Sequence, residues 1–140
     1  MQEVGPSYRF HDIYVWLREK ILFLAPPDLE PVVGLTVNYG RPDFRLQWHG
    51  IRIIGLIPFP KGVSLLLEFS KFLEHEDAHP SEDIDRFEDA CGALPLYKNR
   101  LLVLRSLDDI DEDYLDTYLS LGMRLLLAEI QRRHPKLTNG

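Results

Sequence analysis

Residues 44–69 read FRLQWHGIRIIGLIPFPKGVSLLLEF, and the spacing within them decides the fold. From Phe44 to Trp48 apolar and polar side chains alternate strictly, which puts Phe44, Leu46 and Trp48 on one face of a half-buried strand. His49-Gly50 is a two-residue break suited to a tight hairpin. Ile51 to Phe59 forms the next strand, closed by Pro58 and Pro60, and Lys61-Gly62 turns the chain before Val63 to Phe69 returns. Three strands with connections this short make an antiparallel meander.

Outward from the meander, the periodicity changes. Upstream, Phe10, Ile13, Tyr14, Leu17, Ile21 and Leu24 recur at helical spacing, which predicts a helix over 7–25 with Ser7 as its N-cap. Pro26-Pro27 stops it. Asp28 would cap a short second helix ending at Gly34. Leu35-Thr36-Val37 then opens the strand region, taken as 35–69, with Tyr39 to Pro42 as a turn. Downstream, 74–98 reads as an acidic segment of loop and helical turns, with a turn over Lys71 to His75 and a helix that Ser81 caps. Leu101 to Leu104 is dense enough in apolar side chains to be a buried strand of the same sheet. A last helix over 111–134 presents Leu115, Tyr118, Leu119, Gly122, Met123, Leu126 and Ile130 on one face. Acids at its start and Arg132, Arg133 and His134 at its end complement the helix dipole. The expected architecture is one α+β domain over 1–140, a mainly antiparallel sheet of four to five strands with the N- and C-terminal helices packed on it.

The 140 residues contain 45% hydrophobic and 11% aromatic residues, enough for one conventional core. Lys and Arg number 16 against 22 Asp and Glu, a formal charge of −6, which argues against nucleic acid and anionic membrane surfaces as partners. The single Cys91 cannot form an internal disulfide, and neither a signal pattern nor a long apolar run is present, so a cytoplasmic location is expected. Nothing places a histidine or a basic cluster near Cys91, which reads as an inert thiol.

Three groups of residues could carry chemistry. His75-Glu76-Asp77-Ala78-His79 spells the H-E-x-x-H pattern that on a helix binds zinc, with the glutamate as general base. Asp77 and Pro80 fit that helix poorly, and a solvated polar loop is the favoured reading. Acids crowd the region 74–116, which holds 14 of the 22. Asp83, Asp85, Glu88 and Asp89, with His75, Glu76 or His79, could hold a cation such as iron; solubility and dipole complementation explain them as well. The third group surrounds a strand entrance. Tyr39, Arg41, Asp43 and Trp48 could line a small-ligand pocket, or Arg41 could pair locally with Asp43 in a purely structural turn.

Tyr39-Gly40-Arg41-Pro42-Asp43-Phe44 resembles the Y-G-x-P-x-F turn of the YdhG-like family of bacterial domains of unknown function. Pro26-Pro27-Asp28-Leu29-Glu30 precedes it at a similar distance. Val63 to Leu67 and Asn99 to Asp111 follow it, the latter resembling the family's strand that runs into an s-x-x-D-I-D helix start. The likeness spans roughly residues 10–125 through the order and spacing of its motifs. Arg41 and Asp43 depart from the small or apolar residues common there, and His75 to Leu96 is longer and more acidic. The resemblance implies a small α+β fold without an agreed enzymatic activity, and at least one relative regarded as a frataxin-like iron chaperone. It carries over no catalytic set.

Three expectations follow, in order of preference. The first is a non-enzymatic module that binds a small molecule or a protein. The second is an iron-binding chaperone acting through surface carboxylates. The third is a zinc hydrolase using His75, Glu76 and His79. No resident cofactor is expected unless iron is one, and self-association as a homodimer stays open.

Overall fold

The computed structural model describes residues 3–35, 41–97, 101–108 and 110–139. Helix α1 (His11–Leu24) leads into β1 (Glu30–Leu35), β2 (Pro42–Trp48), β3 (Ile51–Phe59) and β4 (Gly62–Leu66). The short α2 (Ser70–Leu73), a 3-10 turn at Glu76–Ala78 and α3 (Ser81–Ala93) follow, then β5 (Leu96–Tyr97) and β6 (Leu101–Leu104). The long α4 (Glu112–Arg133) and the short α5 (Pro135–Asn139) close the chain. All neighbouring strands are antiparallel, in the order β1-β2-β3-β4-β6-β5. The class is α+β, with six strands among the described residues rather than four or five.

The alternation that opened the reading holds. Phe44, Leu46 and Trp48 are buried on one sheet face, joined across the ladder by Leu56, Ile54, Leu65 and Leu102. His49 and Gly50 take φ of 48° and 78°, the positive angles that a two-residue hairpin needs to match strand twist. On the helical side, α1 and α4 pack on each other and on β3, and α3 packs on α4. The entire predicted stripe of α4 is buried. Gly122 permits the closest approach: a Cβ there would lie 2.2 Å from a Leu67 methyl carbon and 3.0 Å from the Phe87 ring. The Asp111 carboxylate accepts from the backbone N–H of Asp113 and of Tyr114, capping α4 as the acid-rich start foretold.

Several boundaries differ from expectation for local reasons. The first helix starts at His11, not Ser7, because Tyr8 and Phe10 turn into the core and the Tyr8 hydroxyl donates to the Phe59 carbonyl at 2.6 Å. No short helix follows Asp28. Glu30–Leu35 is instead the edge strand β1, where β-branched Val32 and Val33 pair opposite Arg45 and Phe44. The expected run Leu35-Thr36-Val37 therefore ends this strand rather than starting one, and Thr36 and Val37 lie outside the described residues. Strand β4 ends at Leu66, since Phe69 leaves the sheet to meet Phe87 and Tyr118. Ser81 makes no capping bond and is simply the first residue of α3. Pro135 ends α4 and begins the further short helix α5.

Candidate functional site

The H-E-x-x-H stretch does not form a helix. Glu76–Ala78 is one 3-10 turn flanked by His75 and His79, and the two imidazoles take different surroundings. His75 is exposed and borders an open depression of about 480 Å³ together with Glu74, Glu76, Asp77 and Arg132. His79 is turned inward, its side chain 3% exposed, with Nε2 3.0 Å from Oε1 of Glu129 and its ring on Phe72. Glu129 is fully buried, and its other oxygen accepts from Arg132 and, at 2.7 Å, from Arg133. Arg133 also donates to the Lys71 carbonyl, tying the end of α4 to α2. Burial alone would raise the Glu129 pKa, but the hydrogen bonds from Arg132, Arg133 and His79 prevail and hold it down at about 2. This four-residue network is a structural tie.

The other acids are similarly committed or dispersed. Asp83 lies 3.4 Å from Arg124 of α4, whereas Asp85, Glu88 and Asp89 occupy exposed positions along α3. Among the described residues, no three His, Cys, Asp or Glu side chains converge on a point where a metal ion could sit. On the far side of α3, burial and then the Glu88 charge push the Cys91 thiol up to about 12, so it stays protonated at neutral pH.

The strand-entrance residues separate into different environments. Tyr39 lies outside the described residues. Trp48 points into the core at the far end of β2, so it borders no pocket with Arg41. Asp43, 6% exposed, faces the opposite side of the sheet, where Oδ2 accepts from Arg45 at 3.2 Å and Oδ1 has no hydrogen-bond partner among the described residues. The expected pairing of Arg41 with Asp43 is thus replaced by Arg45: Asp43 and Arg45 both lie within β2 and share a face, whereas Arg41 precedes the strand. Arg41 instead lays its guanidinium over the Tyr8 ring, 5.1 Å from the centroid. Burial pushes the Tyr8 hydroxyl up to about 12 against the opposing pull of the Arg41 charge.

Tyr8 leads to a group that sequence reading missed. Its ring meets Phe10 edge-on at 5.9 Å, and Phe10 carries Arg9 over its face at 5.1 Å. Arg9, Phe10, Pro60, Lys61 and Arg105 line a pocket of about 270 Å³ at the β3–β4 turn. Arg105 Nε donates to the Lys61 carbonyl at 2.7 Å. Beyond Arg105 a second depression, of about 710 Å³, runs between Gly92–Pro95 and Val103–Ser106. These cations lie at positions 9, 61 and 105, and no local motif joins them; the strand order β3-β4-β6 brings Lys61 to Arg105, and the segment before α1 adds Arg9.

No protein-family model, curated protein or solved structure matches this chain. No helix among the described residues is long and apolar enough to cross a membrane.

Proposed function

We propose that the chain is a non-enzymatic, cytoplasmic binding module of the YdhG-like kind, taking a small anionic ligand or an acidic stretch of a partner protein. The observation that supports this reading is the end of the sheet around Tyr8 and Phe10. Arg41 and Arg9 are held there on aromatic rings, with Lys61 and Arg105 beside Phe10, and among the described residues none of these four cations has a carboxylate at ion-pair distance. Stacked guanidinium groups are already oriented, so binding loses less side-chain freedom. The test is a melting-temperature screen of anionic compounds on wild type and Arg41→Ala. A compound that stabilises the wild type and loses its effect in the variant supports the module; a wild type indifferent to every anion sinks it.

A second reading, weak iron binding in the frataxin manner, draws on the crowding of Glu74, His75, Glu76 and Asp77 along one exposed depression, where they do not converge on a single point. Ferrous titration of wild type and His75→Ala with Glu76→Gln separates it from the first, since these changes leave the cation end untouched.

A further inference from the structure

Of the fourteen Lys and Arg side chains among the described residues, eight have a carboxylate partner. Arg18, Lys20, Arg45, Arg52, Lys71, Arg124, Arg132 and Arg133 all do. Among the described residues, those without one are Arg9, Arg41, Lys61, Arg86, Arg105 and Lys136. Three of these six share a single small pocket, and Arg41 stands one ring further on. In a chain with formal charge −6, unneutralised cations gathered at one place repel each other and oppose the folding that brings them together.

The backbone arranges this gathering. Gly62 lets the β3–β4 turn lie against the end of β6: a Cβ there would stand 3.0 Å from the Leu104 carbonyl oxygen and 3.1 Å from the Arg105 side chain. That approach brings the Lys61 carbonyl to Arg105 Nε, which fixes the plane of the guanidinium. Arg9 is fixed from the other side by the Phe10 face. Two oriented guanidinium forks and one exposed ammonium around about 270 Å³ suit a compact group with three charged oxygens better than a two-oxygen carboxylate.

We propose that the Arg9–Lys61–Arg105 pocket is a phosphate-binding seat for a small phosphorylated compound. The organic part of the ligand extends into the depression beyond Arg105, between Gly92–Pro95 and Val103–Ser106. The proposal rests on the binding-module reading and narrows its ligand to a phosphomonoester or free phosphate.

The test is a titration of the full 15N-labelled chain with inorganic phosphate and, separately, with phenyl phosphate. Saturable shifts are expected at the backbone amides of Phe10, Lys61 and Arg105. Lys61→Gln and Arg105→Gln should each weaken binding by about tenfold, in line with losing one charge-assisted contact. Arg86→Gln, a change at an equally unpaired cation on α3, should leave the affinity as it was. Lys61 is exposed and its carbonyl survives substitution, so Lys61→Gln keeps the test intact if Arg105→Gln fails to fold. Phenyl phosphate binding tighter than phosphate assigns the seat to a phosphoester, and equal affinity assigns it to the free anion. Shifts spread over Arg86 and Lys136 alike, or affinity unmoved by Lys61→Gln, overturn the seat. An Arg41-dependent hit from the anion screen, with phosphate leaving the Lys61 amide unmoved, removes the seat and keeps the module.

Discussion

The two ends of this domain treat charge in opposite ways. Around the start of α3 and the end of α4 charges are dense and of both signs, and the cations there are paired: Arg132 and Arg133 with Glu129, Arg124 with Asp83, Lys71 with Glu68. Around Tyr8 and Phe10 four cations gather, Arg9, Arg41, Lys61 and Arg105, without a carboxylate partner among the described residues. The crowded region is where a reader of the sequence looks for a metal, yet its buried carboxylate, Glu129, is bound up in the fold, and its exposed acids converge on no common point among the described residues. Density of charge in sequence measures composition. What remains unneutralised in three dimensions is the better guide to a ligand.

Stability measurements can break that contrast. The largest effect belongs to Glu129→Ala, which leaves His79 buried without its partner and two arginines without theirs; a loss of about 3–5 kcal/mol is expected by urea denaturation. A loss below about 1 kcal/mol would show that the network contributes little beyond its neighbours' packing.

Acid sharpens the same point. The Glu129 pKa is lowered on folding from 4.5 to about 2, so its stabilisation is complete above the unfolded value and is lost as pH falls from 4.5 towards 2. Wild type should therefore lose up to roughly 3 kcal/mol over that interval that Glu129→Gln, already less stable, does not lose. Parallel pH profiles for the two proteins would refute the assignment.

Lys20 is intermediate. It bridges α1 to α4 through Glu112 and Asp116, each at 2.7 Å, and lies over the Trp16 ring. Lys20→Ala should cost about 1 kcal/mol, less in high salt because both carboxylates reach solvent. The smallest effects fall at the cation end, where Arg41→Ala and Lys61→Gln should stay within about 0.5 kcal/mol of wild type in thermal melts. A large loss there would mean these cations serve the fold after all.

Much of this fold was legible because its strongest signals are local. The Phe44 to Trp48 alternation, the His49-Gly50 hairpin and the α4 stripe need only neighbouring residues to be read. Failures came where distant contacts overrode local preference. Tyr8 and Phe10 left the helix for the core, and the segment after Asp28 became a strand because β2 offered it an edge. Glu129 could have been found, since Leu115, Gly122 and Glu129 recur at intervals of seven on the buried face of α4. The pocket at Arg9, Lys61 and Arg105 could not, because no spacing relates residues from three separate elements.

The strand order has a further consequence, for the timing of folding. Strands β1 to β4 are neighbours in sequence as well as in the sheet, so each pairing closes a short loop. Strand β6 reaches β4 only after α2, α3 and β5 have been passed, and the Leu67–Gly122–Phe87 contact joins still more distant segments. Long loop closures come late and slowly. In a pulse-labelling hydrogen-exchange experiment the amides of β2 and β3 should gain protection first, and those of β6 should follow in a separate, slower step. The phosphate seat spans that joint, so it does not exist until β6 has docked, and a ligand held there would slow the undocking of β6.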